Sequence, residues 1–139
     1  MQDMNIVSIE AKLLDLAISA RSKAYAPYSN FAVGAAVESA SGKVYSGCNV
    51  ENISYPVGTC AEAGAIAAMV ADGERKIRRI LVVAETSSLI APCGACLQRI
   101  KEFADEKTQI LLATPDGIKK ILTIEQLLPF GFDNEELKK

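Results

Sequence analysis

TCAEA at residues 59–63 and PCGAC at residues 92–96 are the two segments around which this chain is organised. They contain three of its four cysteines, Cys60, Cys93 and Cys96, and one glutamate, Glu62, with an alanine on either side. Thiolates suit zinc, and a catalytic zinc site typically has three protein ligands and one open position. The three cysteines would fill those positions and leave Glu62 free to move protons.

The sequence contains no histidine. This excludes a mechanism that needs a histidine base or a histidine ligand, so a zinc ion held here would be bound by sulfur alone. Four cysteines in a reducing compartment are better interpreted as metal ligands or buried thiols than as disulfides.

Composition limits the class of protein. With 139 residues, 50% of them hydrophobic and 23% charged, the chain is expected to form one globular domain over residues 1–139. The net charge of −2, without a basic run interleaved with aromatic residues, argues against a nucleic-acid partner. No apolar run approaches the length of a membrane span and no signal-peptide pattern is seen, so we expect no membrane partner and a cytoplasmic location.

Apolar periodicity and turn residues predict the order of secondary-structure elements. Helices are expected at 6–25, 60–72 (buried) and 92–104, with a short capped helix from Thr123. Strands are expected at 31–37, 44–48, 77–84, 109–113 and 118–122, and a polar loop at 49–58. Such an order indicates a sheet covered by helices on both faces.

Both cysteine segments fall at predicted helix N-termini. Three thiolates and one Zn²⁺ sum to a charge of −1, which weakens the metal as a Lewis acid. A helix N-terminus offers about half a positive charge and free N–H donors. Two such ends would offset part of the excess negative charge.

The cysteines also allow a structural zinc site, which is usually closed by four protein ligands, and Cys48 is available as the fourth. Cys48 follows a predicted strand between Gly47 and Asn49, however, which suits a small buried thiol. The neighbours of Glu62 are small or apolar, so we expect burial to raise its pKa toward the range that a proton shuttle needs. A Cys-x-Glu segment followed by Pro-Cys-x-x-Cys is typical of zinc deaminases that act on cytosine or adenine.

The likeness extends over nearly the whole chain. Residues 24–36, 47–55, 60–62, 92–96 and 127–129 resemble the homotetrameric cytidine deaminases, of the cytidine and deoxycytidylate deaminase superfamily. The resemblance implies a three-layer α/β/α sandwich with a five-stranded mixed sheet. It also implies a homotetramer whose active sites are shared between subunits.

The resemblance assigns roles to individual residues. It implies that Cys60, Cys93 and Cys96 bind one Zn²⁺ per subunit and that Glu62 is the catalytic proton shuttle. The implied substrate-binding residues are Asn49 and Glu51 on the ribose hydroxyl, Phe31 on the pyrimidine ring, Ala61 through its backbone, and Tyr55 and Phe132 in a neighbouring subunit's pocket.

The chain departs from the family at two positions. The family usually has arginine after the catalytic Ala-Glu pair and again after the last cysteine, where this chain has Ala63 and Leu97. The family arginine beside the glutamate donates to the ligand sulfurs. Arg99, a residue of another subunit and the helix ends remain as candidates for that role.

The function predicted from these features is hydrolytic deamination of free cytidine and 2′-deoxycytidine, as in pyrimidine salvage. Three alternatives stay open: a deaminase of another aminated nucleoside, such as a blasticidin-S type; a polynucleotide editor, disfavoured by the short, mildly acidic chain; and a non-catalytic module stabilised by zinc.

Overall fold

A computed structural model describes residues 7–134 of the chain. The helices are α1 (Ile9–Arg21), α2 (Ala61–Ala71), α3 (Gly94–Phe103) and α4 (Ile124–Leu127), with a 3-10 turn at Tyr55–Val57. The strands are β1 (Val33–Ser39), β2 (Val44–Cys48), β3 (Ile77–Ala84), β4 (Gln109–Thr114) and β5 (Gly117–Leu122). The predicted helix 6–25 begins at residue 6, which lies outside the described range.

The five strands form one mixed sheet in the order β2-β1-β3-β4-β5. β3 and β4 are parallel, and the other neighbouring pairs are antiparallel. The α3 helix makes the crossover between the two parallel strands, as a parallel connection requires. The five-stranded mixed sheet expected from the resemblance is therefore confirmed.

Helices cover both faces of the sheet and make it the middle of three layers. Successive strand residues point to opposite faces, so Ala35 and Val37 of β1 pack with α2 and α3 while Ala36 packs with α1. The α1 side is closed by Leu13 and Ala17, which are fully buried. The larger core lies on the other side, beneath α2, α3 and α4.

Two predicted boundaries near the amino end were wrong. The first helix ends at Arg21 rather than near Tyr25, because Tyr25 is extended and exchanges backbone hydrogen bonds with Asn49 and Glu51. The first strand begins at Val33 rather than at Phe31, because Asn30 has a left-handed backbone (φ 57°) and turns the chain just before it.

The helices that carry the cysteines begin one or two residues later than predicted. Cys60 and Cys93 are the N-cap residues of α2 and α3, so Pro92 precedes the helix instead of opening it. The α2 helix was predicted to be buried, yet its outer face, which includes Ala67 and Ala68, is exposed in the single chain. Within residues 7–134, no helix combines the length and apolarity that crossing a bilayer requires.

Candidate active site

The N-termini of α2 and α3 bring three sulfur atoms together. The Sγ atoms of Cys60, Cys93 and Cys96 all lie within 4.8 Å of one another. Cys60 is half-buried, Cys93 is exposed and Cys96 is buried. Cys48, at the end of β2, does not join this cluster within the described part of the chain, so it does not close a four-sulfur cage.

The donor set fits a zinc ion. Sulfurs that share a tetrahedral zinc at about 2.3 Å lie about 3.8 Å apart, so small side-chain movements would bring the cluster to that spacing. Burial raises the pKa of the Cys96 thiol, and the Glu62 carboxyl and the Cys60 and Cys93 sulfurs raise it further. A zinc ion held by the three sulfurs would offset this repulsion and stabilise the thiolates.

The N-terminus of α3 acts on a sulfur in the way that the sequence predicts. The backbone N–H groups of Cys96 and Ala95, in the first turn of α3, lower the pKa of the Cys93 thiol. These groups have no partner within the helix and therefore point toward the cluster.

Glu62 lies in the first turn of α2 beside the sulfurs and is only 5% exposed. Burial raises its pKa, and this is opposed by its own backbone N–H, by Cys96 and by the charge of Arg99. The predicted burial and the predicted direction of the pKa shift are confirmed. A carboxyl group in this position has the chemistry of a proton carrier.

A cavity of about 550 Å³ opens above the cluster and above Glu62. This volume lies in the range of small-molecule pockets. Val82 and Ala84 of β3 and Ala113 of β4 form part of its wall, so the cavity lies at the carboxyl end of the parallel strand pair. Five of the six predicted substrate-binding residues line it: Phe31, Asn49, Glu51, Tyr55 and Ala61.

Asn49 and Glu51 are held by the loop that carries Phe31. The Asn49 side chain accepts a hydrogen bond from the Val33 N–H at 2.9 Å and donates to the Phe31 carbonyl at 2.8 Å. The Glu51 carboxylate accepts from the Ser29 hydroxyl at 2.5 Å and from the Tyr28 and Ser29 N–H groups. The Ser29 hydrogen bond is the main cause of the lowered pKa of Glu51, so this carboxylate stays charged.

The two residues predicted to serve a neighbouring subunit lie in different places. Tyr55 lines the cavity of its own chain, and its ring packs against Tyr28 with centroids 5.8 Å apart. Phe132 lies outside this cavity and is 68% exposed. Its backbone is held by the Gln98 side chain of α3, which donates to the Phe132 carbonyl at 2.7 Å and accepts from its N–H at 3.2 Å.

Sequence reasoning missed part of the cavity wall. Leu89 and Ile90, half exposed in the loop before Pro92, line the same cavity as Phe31. The sequence did contain a signal for them, because two large aliphatic residues stand in a loop that otherwise holds small and polar residues. Ser29 was also missed as the residue that orients Glu51, because its partner is distant in sequence.

A mixed sheet between helices, with a three-sulfur cluster beside a buried carboxylate, defines the class of zinc-dependent deaminases. Residues 7–112 match the family described as "Cytidine and deoxycytidylate deaminase zinc-binding region". The cytidine deaminase of Sporosarcina psychrophila is 41% identical over 126 residues, which cover 91% of this chain and 93% of that protein. The cytidine deaminase of Halalkalibacterium halodurans is 40% identical over 90% of this chain and 95% of its own length.

Solved structures agree with the sequence comparisons. A crystal structure of cytidine deaminase from Burkholderia pseudomallei superposes with a TM-score of 0.84 at 43% identity, over 90% of this chain and all of that chain. A crystal structure of cytidine deaminase from Mycobacterium leprae gives a TM-score of 0.75 at 36% identity, over 88% of this chain and 99% of that one. The chain belongs to the cytidine and deoxycytidylate deaminase family.

Proposed function

We propose that this chain catalyses the zinc-dependent hydrolysis of free cytidine and 2′-deoxycytidine to uridine and 2′-deoxyuridine, with release of ammonia. One domain carries the whole activity, and it acts in the cytoplasm, where thiols stay reduced, as a step of pyrimidine salvage. The observation that carries this proposal is the position of Glu62. It is buried beside the three-sulfur cluster at the base of a cavity of nucleoside-binding size.

Cys60, Cys93 and Cys96 would hold the metal ion. When bound, zinc polarises a water molecule and brings the pKa of that water to about 7, which makes it a nucleophile near neutral pH. The ring would enter beside the apolar side chains of Phe31, Leu89 and Ile90, which line the same cavity. This apolar contact excludes bulk water around the reacting carbon and holds the ring flat.

The polar end of the cavity suits a ribose. Glu51 is negatively charged, is oriented by three donors and retains acceptor capacity for a hydroxyl. One N–H of the Asn49 amide is committed to the Phe31 carbonyl, and the second is available to a sugar oxygen. Ala61 presents its backbone to the base at the beginning of α2.

Glu62 moves the protons of the reaction. Its carboxylate takes a proton from the attacking water and delivers it to N3 of the ring, which makes C4 electrophilic. It then carries the second proton to the amino group at C4, which leaves as ammonia. Burial favours the protonated form that this relay passes through.

The direct test is an ultraviolet assay of cytidine loss, with ammonia release measured in parallel. Cytidine, 2′-deoxycytidine and blasticidin S are compared, with and without a zinc chelator. We expect turnover of the first two substrates that stops with the chelator and returns with added zinc. Negligible cytidine turnover by the zinc-loaded protein would defeat the proposal, and turnover of blasticidin S alone would replace it with the related antibiotic-deaminating activity.

We also propose that the chain assembles as a homotetramer in which Phe132 enters the cavity of a neighbouring subunit. Two observations support this arrangement: the exposed, alanine-rich outer face of α2, and the exposure of a large aromatic side chain on a backbone that Gln98 holds in place. Light scattering coupled to gel filtration measures the mass directly, and a monomeric mass at assay concentration would contradict the assembly.

A further inference from the structure

The proposed zinc site carries excess negative charge. The chain has no histidine, so each of its cysteine donors brings a negative charge when it binds. The buried Glu62 adds a further acidic group beside the cluster. Cys60 and Cys93 are at helix N-caps, but Cys96 lies inside the first turn of α3 and is the buried member of the three. This sulfur therefore has the greatest need of a cationic donor.

One guanidinium is placed to supply it. Arg99 Nη1 lies 3.5 Å from Cys96 Sγ and donates a hydrogen bond to it. The two residues are three positions apart on α3, a spacing that puts side chains on the same face of a helix. A hydrogen bond from a charged donor to a thiolate shares its negative charge and leaves the metal a stronger Lewis acid.

We propose that Arg99 is the positioning residue of the zinc centre: its guanidinium donates to Cys96 Sγ and offsets the excess negative charge of the three thiolates. This inference rests on the zinc site of the proposed function. The inference makes a residue of α3 the cationic donor to the ligand sulfur. No side chain of α2 has this role in this chain, because the position after Glu62 is Ala63.

The groove between α2 and α3 supplies an independent way to test this assignment. Ala63 and Arg99 line the same groove, one from each helix, together with Gln98 and Glu102. An arginine at position 63 would therefore enter the space that Arg99 already occupies. A cation delivered from α2 should compensate for the loss of the cation on α3.

The experiment compares zinc-loaded wild type, R99Q, the double variant A63R/R99Q and K120Q. Lys120 is an exposed residue of β5, so K120Q makes the same change of net charge away from the site. Zinc transfer to a colorimetric chelator gives the rate of metal loss. The cobalt-substituted proteins give the sulfur-to-cobalt charge-transfer band, which reports the electron donation of the thiolates.

We expect R99Q to lose zinc about 10- to 100-fold faster than wild type, because partners that orient metal ligands typically change metal affinity by that factor. Its cobalt band should move to longer wavelength, because a thiolate without the hydrogen bond gives up electrons more readily. K120Q should match wild type in both measurements, and A63R/R99Q should return toward wild type.

An R99Q protein whose zinc-loss rate and cobalt band match those of K120Q would overturn the inference while leaving the proposed function intact. A folded A63R/R99Q protein that loses zinc as fast as R99Q would also overturn it, because charge would then not be the cause. A wild-type protein that binds no zinc would overturn the proposed function and this inference together.

Discussion

Gly47 of β2 lies directly against the backbone of Ala65 in α2: a Cβ at position 47 would stand 2.5 Å from the Ala65 amide nitrogen. It would also stand 2.7 Å from the Ala61 carbonyl oxygen, in the turn that carries Glu62. A side chain here must push the helix off the sheet. We expect Gly47→Ala to lower the free energy of unfolding by about 1–3 kcal/mol, as overpacking does, and to reduce activity by displacing Glu62.

Gly64, on the helix side of the same contact, is the matched control. A Cβ there would meet its nearest neighbour, the Gly47 Cα, at 3.6 Å, which is ordinary contact. Because alanine has the higher helix propensity, Gly64→Ala should be neutral or should stabilise by up to about 1 kcal/mol. Urea unfolding of both variants checks this pair, and equal effects of the two substitutions would contradict it.

Glu62→Gln should retain zinc and the fold yet lose turnover. The amide has nearly the same shape but cannot carry a proton, so we expect a fall in kcat of at least about 10²- to 10⁴-fold, the usual contribution of general acid–base catalysis. Zinc content and kcat are measured on the same preparation. Glu125→Gln, which changes an exposed acid of α4, serves as the control; wild-type kcat in Glu62→Gln would refute the assigned role.

Removal of single sulfurs should separate the ligands from the fourth cysteine. Cys60→Ser, Cys93→Ser and Cys96→Ser should each lower zinc affinity and abolish activity, because a hydroxyl is a poor substitute for a thiolate. Cys48→Ser should retain one zinc per subunit, since Cys48 lies outside the cluster. Zinc analysis after dialysis decides between these outcomes. Loss of the metal from Cys48→Ser would favour a structural site with four sulfur ligands instead.

The hydrogen bond between Tyr45 and Asp72 should make the stability of the fold depend on pH. The Tyr45 hydroxyl donates to Asp72 at 2.5 Å, and this bond, followed by the charge of Lys43, lowers the pKa of Asp72. A lowered carboxyl pKa stabilises the fold above the unfolded value of about 3.9, and the contribution is lost as the pH falls through the folded pKa.

We therefore expect Tyr45→Phe to lower the Tm at neutral pH, with a difference from wild type that shrinks as Asp72 becomes protonated. Thermal unfolding from neutral to acidic pH measures it. In an Asp72→Asn background, the same tyrosine change should show no such pH dependence. A Tm difference that stays constant over the whole pH range would mean that Tyr45 acts through packing alone.

Mixing two impaired variants, assayed at a cytidine concentration below the KM, tests whether Phe132 acts across a subunit boundary. Phe132→Ala should raise the KM for cytidine, while Phe130→Ala, an exposed control two residues earlier in the chain, should not. Refolded mixtures of Phe132→Ala and Glu62→Gln should gain activity, because a hybrid contains sites with an intact Glu62 and a neighbour's intact Phe132. If Phe132 served its own subunit, such mixtures would gain nothing.

The elements with strong local signals were predicted closely. β3 was predicted at its observed bounds, Ile77–Ala84, because a near-continuous apolar run between polar turns has few other interpretations. The capped α4 was predicted from Thr123 and is confirmed by a reciprocal pair of hydrogen bonds with Gln126. The larger boundary errors fell at Tyr25 and Phe31, whose backbones are hydrogen-bonded to partners far along the chain.

The sequence by itself determined the chemistry of this protein: which atoms can bind zinc, that all of them are sulfur, and that a carboxylate follows the first of them. Residue type and short spacing can be read directly from the sequence, and they depend only on local interactions at the two helix N-termini. Only the tertiary structure decided that Cys60 meets Cys93 and that Leu89 lines the cavity. Those distances follow from strand register and helix packing, which no short segment encodes.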